Sequence, residues 1–187
     1  MPGRVEIINL ALARLGESPI QSLDEGSTPA NAATQLYDLE RQATLRDYPW
    51  NFALKQASLA RVEEAAFDFH TAFALPGDCL RAVRLWGADR NEVTRFTVRT
   101  KVLYADPERV TLEYVADVED TGLFDAKFVE AFSYKLAASL AMTVKGSSEM
   151  MANYMNMYQT LVTDAAAKSA GEERVYLSDN PYLEARY

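Results

Sequence analysis

The sequence predicts a mainly α fold with a small antiparallel β-sheet insertion: two helices, the sheet, then two more helices, the four helices packed as one bundle, with an extended C-terminal arm. Three observations predict it. Apolar residues recur at helical spacing near the start of the chain and again from Phe124 onward. Between residues 54 and 118 the pattern turns to alternation rich in β-branched and aromatic residues. At the first boundary stands Tyr48-Pro49-Trp50-Asn51-Phe52-Ala53. The expected helices cover 4–15, 29–47, 122–145 and 148–170 of a single domain, 1–174, and the arm takes 175–187.

Helix one is marked by Val5, Ile8, Leu12 and Leu15 on one face, with Gly16 as C-cap and Pro19 beyond it. Residues 17–28 read as a loop. Thr28 followed by Pro29 suits an N-cap and first helical residue, and Ala32, Leu36, Leu39 and Ala43 form the expected buried face of helix two. Pro49 disfavours helical backbone at Tyr48, so that helix stops there. Tyr48, Pro49, Trp50 and Phe52 are the candidate structural anchor, aromatics that lock the corner into a core before the chain leaves extended.

After the corner come a weak strand from Leu54 and an aromatic run from Phe67 to Leu75. Pro76-Gly77-Asp78 turns the chain, and Leu80 to Trp86 leads out of the turn. Segments 93–100, 101–105 and 109–115 follow, with Asp106-Pro107-Glu108 as a turn. Phe124, Phe128, Phe132, Leu136, Leu140 and Val144 then recur every four residues beside Ala137, Ala138 and Ala141. Gly146 ends that helix. Met151, Tyr154, Tyr158, Leu161 and Ala165 mark one face of the last helix, which is expected to fade near Gly171. In the arm, Tyr176, Leu177, Pro181, Tyr182, Leu183 and Tyr187 are too aromatic for a typical disordered tail, and Pro181 resists helix. The arm either packs on its own domain or binds a neighbour.

The 187 residues suffice for a sizeable core, and the net charge is −8. That balance argues against gripping nucleic-acid phosphates, which takes a basic stripe. It suits simple solubility, or a wall that nucleic acid slides past. No apolar run is long enough to span a membrane. The start leads directly into an amphipathic pattern, so no secretion signal is expected. A lone cysteine, Cys79, excludes an internal disulfide and fits a reducing compartment.

Few residues suggest catalysis. His70 and Cys79 would form a nucleophile–base pair only across a hairpin. The acidic pairs Glu63-Glu64 and Glu119-Asp120 read as solvated loop edges. No phosphate loop, nucleophile elbow or metal-spacing cluster is found in the sequence. The expectation is no enzyme, no cofactor and no metal.

Three stretches carry a resemblance. They are Ile8-Asn9-Leu10-Ala11-Leu12-Ala13-Arg14-Leu15-Gly16-Glu17-Ser18-Pro19-Ile20, then Leu45-Arg46-Asp47-Tyr48-Pro49-Trp50-Asn51-Phe52-Ala53, then Phe73-Ala74-Leu75-Pro76-Gly77-Asp78-Cys79-Leu80-Arg81. In this order they resemble the head-to-tail adaptor (connector) proteins of tailed bacteriophages, in particular the tail tubular protein A type. The match covers residues 5–86 and continues only as architecture. The resemblance implies a ring, commonly of twelve copies, bound beneath the portal protein at the head–tail junction of the virion and assembled in the host cytoplasm. Such a ring extends the channel through which DNA is ejected and gives the next tail or nozzle protein its platform. Terminal segments contact the portal or a neighbouring subunit, which makes the six arm residues named above the candidate partner-binding set. The family's motifs mark no catalytic residue. A second reading is a small helical nucleic-acid-associated packaging protein, for which helix two offers Arg41 and Arg46, interrupted by Glu40 and Asp47. A third is an enzyme built on His70 and Cys79.

Overall fold

A computed structural model describes residues 2–63 and 68–175. Helix α1 (Arg4–Arg14) starts where the Glu6 carboxylate accepts the Gly3 N–H at 2.7 Å. It ends in Gly16, whose φ of 68° is the left-handed conformation that a residue without Cβ adopts freely. There the Glu17 N–H reaches the Leu12 carbonyl (3.0 Å) and the Gly16 N–H the Ala13 carbonyl (3.1 Å), filling carbonyls that the helix end leaves open. Helix α2 (Thr28–Asp47) is capped by Ser27, with Pro29 in its first turn.

Its buried face is only partly the expected one, since Ala32 is buried and Leu36 packs against the core. Leu39 is 62% exposed, and the buried residues are Ala30, Ala33, Tyr37, Arg41, Thr44 and Leu45, with Ala32 beside them. The face is rotated because Arg41 lies inside, where it has acidic and carbonyl partners, while Leu39 is left outside.

A single 3-10 turn (Asn51–Ala53) leads into seven strands: β1 (Leu54–Ser58), β2 (Arg61–Val62), β3 (Thr71–Ala74), β4 (Cys79–Gly87), β5 (Phe96–Arg99), β6 (Val102–Ala105) and β7 (Val110–Ala116). These build two antiparallel sheets, ordered β1-β7-β4 and β2-β3-β6-β5. The expected mainly α fold with one small sheet is therefore corrected, among the described residues, to four helices with a three-stranded and a four-stranded sheet. Alternation marks where strands lie but not with what they pair. Lys55 pairs with Tyr114 and Arg81 with Val115, whereas Phe73 pairs with Leu103, so partners chosen far along the chain divide one apparent insertion into two sheets.

A second 3-10 turn (Thr121–Leu123) follows, and Asp125 caps α3 (Ala126–Lys145) by accepting the Phe128 N–H. This helix begins later than the expected 122 because Asp120 already caps the turn before it. Gly146, also left-handed, ends it. Helix α4 runs from Ser148 to Val175, through Gly171 rather than fading there. A single glycine in a helix costs only about 1 kcal/mol.

The packing is centred on α3, against which α1, α2 and α4 all lie. Phe128, Phe132, Leu136, Leu140 and the small Ala137 and Ala141 give it a buried face on several sides, and Phe124 is buried just before its N-cap. One apolar core joins this helix to residues of both sheets, including Leu85, Leu112 and Val115 from one and Phe73 and Leu103 from the other. On α4 only Tyr158 is buried among the described side chains, and Met151 and Met157 stay exposed.

Candidate functional site

The aromatic corner is built from the end of α2. Tyr48 takes an extended conformation (φ −142°), as a residue before proline must, and the helix stops. Trp50, 3% exposed, folds back so that its indole N–H donates to the Thr44 carbonyl at 3.0 Å. That carbonyl is one of the four that a helix C-terminus leaves without a partner, so the indole acts as a side-chain cap. The Trp50 ring meets Tyr48 at 5.0 Å and Phe128 of α3 at 5.3 Å, both edge-on. Phe52, half-buried, packs on Phe128 (5.1 Å) and Phe124 (5.6 Å). Tyr48 donates its hydroxyl to the Ala165 carbonyl on α4 at 3.3 Å. Pro49 is half-buried between them in sequence. Tyr48, Trp50 and Phe52 thus tie the end of α2 to α3 and α4.

Beside the corner lies a polar latch that the sequence reading missed. The Asp47 carboxylate accepts from Lys135 Nζ of α3 and from the Tyr158 hydroxyl of α4, both at 2.6 Å. Burial pushes the Asp47 carboxyl up, but the hydrogen bonds from Lys135 and Tyr158 outweigh it and hold the group below its ordinary value. Tyr158 is pushed up, first by burial and then by its bond to Asp47, so its hydroxyl keeps its proton. An acid at a helix C-terminus opposes the macrodipole, and Lys135, only 8% exposed, supplies the compensating charge. The available signal was the Lys135 position itself, flanked by apolar residues in the every-fourth pattern of α3.

The other two resemblance-bearing stretches also form joints. Asn9 donates to the Ile20 carbonyl (3.0 Å) and accepts the Ile20 N–H (2.8 Å), clamping the loop after Gly16 onto α1. At the third stretch, Pro76-Gly77-Asp78 turns the chain into β4, and the Cys79 N–H donates to the Pro76 carbonyl at 3.0 Å. The Asp78 carboxylate takes Lys55 Nζ at 2.8 Å and the Tyr114 hydroxyl at 3.1 Å, ties to β1 and β7. The bond from Lys55 holds the Asp78 carboxyl below its ordinary value.

His70 and Cys79 do not meet across a hairpin. His70 precedes β3 in the four-stranded sheet, is 84% exposed and faces Asp106, whereas Cys79 opens β4 in the other sheet. Burial pushes the Cys79 thiol up, and Asp78 acts the same way, which lowers its thiolate fraction. Arg41 is 2% exposed, so of the two arginines that helix two offers the packaging-protein reading one lies inside. The arm residues Tyr176, Leu177, Pro181, Tyr182, Leu183 and Tyr187 lie outside the described residues. Among the described residues, no group of three or more His, Cys, Asp or Glu could hold a metal ion, and no helix is long and apolar enough to cross a membrane. The chain matches no protein-family model and no curated protein.

Proposed function

We propose that this protein is a structural head-to-tail adaptor of a tailed bacteriophage, forming a ring beneath the portal that extends the DNA channel and carries the tail platform. The observation that carries the reading is the role of the three stretches behind the resemblance. Each closes a joint between elements: Asn9 with Ile20, Trp50 with Thr44 and Phe128, Asp78 with Lys55 and Tyr114. Residues that serve as joints are what a rigid assembly module needs, and a reaction needs none of them.

Two further features agree. Met142, Met151 and Met157 are exposed on α3 and α4 and Leu39 on α2, side chains of the adaptable kind found at protein interfaces. A net charge of −8 disfavours adhesion of DNA to a channel wall. The arm residues 176–187 supply the contact with the portal or the adjacent subunit in this reading.

The deciding experiment mixes the purified protein with purified portal and determines stoichiometry by native mass spectrometry and electron microscopy. One chain per portal subunit, seen as a ring, is the expected result. Ratios far below one overturn the reading. Light scattering of the free chain does not decide, because a ring that forms on a template needs the local concentration the template provides.

A further inference from the structure

A cleft of about 580 Å³ opens between the two sheets. One wall comes from Arg46 at the end of α2 and from Leu80 and Arg81 at the start of β4; the other comes from Phe96 and Val98 of β5. Lys101, at the tip of the β5–β6 hairpin, also lines it. Both strands are sheet edges, β4 of the three-stranded sheet and β5 of the four-stranded one. Farther along, the β4 edge is covered where the Val93 N–H donates to the Leu85 carbonyl (2.7 Å) and the Gly87 N–H to the Asn91 carbonyl (2.9 Å). The stretch Cys79–Ala82 lies before that cover.

In a chain of net charge −8, this cleft is lined by three cations and by no carboxylate. The Arg81 Nε is buried without a hydrogen-bond partner, although buried donors are normally paired. The acid whose charge acts on it, Asp47, is already engaged by Lys135 and Tyr158. Arg46 stands close enough to oppose it: burial first, and then the Arg46 charge, hold the Arg81 guanidinium below its ordinary value. Two like charges converge on a half-buried space, and an anion placed between them relieves both the repulsion and the unpaired donor.

We propose that this cleft docks an extended acidic segment of a partner protein, its carboxylates held by Arg81 and Arg46 and its apolar side chains resting on Phe96 and Val98. An extended segment places alternate side chains on opposite faces, which matches one basic and one apolar wall. Its backbone lies beside two edge strands, β4 and β5, with the Leu80 carbonyl on β4 already taken by Arg46. The hairpin tip is held in place as a rim, because the Leu75 N–H donates to the Lys101 carbonyl at 3.1 Å. Nucleic acid is the less suited occupant: three cations in a single cleft do not make a phosphate-tracking stripe, and Val98, 41% exposed, offers an apolar wall that phosphate does not use. The inference rests on the cleft and holds independently of the adaptor reading.

The test measures fluorescence anisotropy of a fluorescein-labelled heptapeptide of alternating Glu and Val at physiological salt. The full chain is expected to bind it saturably and to ignore the matching Lys–Val peptide. Arg81→Gln and Arg46→Gln should each weaken binding at least tenfold, Lys101→Gln several-fold, and Val98→Asp should abolish it. Lys127→Gln, on the distant α3, should leave it unchanged. Should Arg81→Gln lose its helical circular dichroism, Arg46→Gln and Val98→Asp decide alone. No binding of the Glu–Val peptide, or unchanged binding in those two variants, overturns the proposal. So does an oligo-dT strand or inorganic phosphate that binds the cleft while the peptide fails to displace it.

Discussion

The guanidinium of Arg41 lies 2% exposed against the Asp117 carboxylate, joining the middle of α2 to the residue just beyond β7. It also donates to the Val118 carbonyl at 2.7 Å, and Gln42 gives Asp117 a second bond at the same distance. Removing the cation leaves both acceptors short of a donor. Arg41→Ala is expected to cost about 3 kcal/mol, the low end for breaking a buried pair because Asp117 keeps some water. Urea denaturation checks it; a loss under about 0.5 kcal/mol would mark the pair as dispensable.

Trp50→Ala should destabilise by about 3–5 kcal/mol, the range for truncating a buried aromatic. Trp50→Phe keeps much of the ring contact with Phe128 and removes only the indole donor to Thr44, so it should cost about 1 kcal/mol. The two melting temperatures, measured side by side, separate packing from capping. Equal losses would assign the whole effect to the cap.

Asp47 sets an acid dependence. Its folded carboxyl sits below its ordinary value, so the latch contributes fully above the unfolded value of about 3.9. The contribution is lost as pH falls through the folded value. Asp47→Asn should therefore be less stable than the parent at pH 7, by about 1 kcal/mol given the exposure of this carboxylate. The gap should narrow below about pH 4. A gap that stays constant down to pH 2 would remove the latch from the acid response.

The arm has a clean cut point, since α4 continues through Val175. Deleting 176–187 is expected to leave helical circular dichroism and melting nearly unchanged and to abolish ring formation on portal. Unfolding of the truncated chain would instead make the arm part of its own core. Normal assembly would remove it from docking altogether.

Affinity for duplex DNA is expected to be negligible at physiological salt. With Arg41 inside and Arg46 donating to the Leu80 carbonyl, α2 presents no stripe to replace counterions. Titration by anisotropy at several salt concentrations checks it. Tight binding with a steep salt slope would favour the packaging-protein reading.

The parts legible in the sequence were those fixed by local rules. The stop at Tyr48, the Gly16 turn and the four-residue stripe of α3 depend on neighbours within a turn or two, and each stands where spacing and Pro or Gly chemistry put it. The buried face of α2 was hidden because an arginine reads as surface until its partner is known, and Asp117 lies 76 residues away. The latch escaped for the same reason: Asp47, Lys135 and Tyr158 sit on three helices, and none of them shows its partners in its own stretch. Sheet partition is likewise a property of pairings such as Lys55 with Tyr114, which no alternating stretch encodes by itself.

The central position of α3 bears on how the chain is made. Residues 48–125 separate the end of α2 from the start of α3, so α1 and α2 emerge with their apolar faces uncovered. At ribosomal speeds of about 5–20 residues per second, that exposure lasts roughly 4–16 s before the covering helix is synthesised. During that interval Ile8, Leu12 and Leu45 have only each other, the early strands and any holdase for cover. The N-terminal half therefore completes its fold only after α3 has emerged, and a chain interrupted before Ala126 should be recognised as unfolded and degraded.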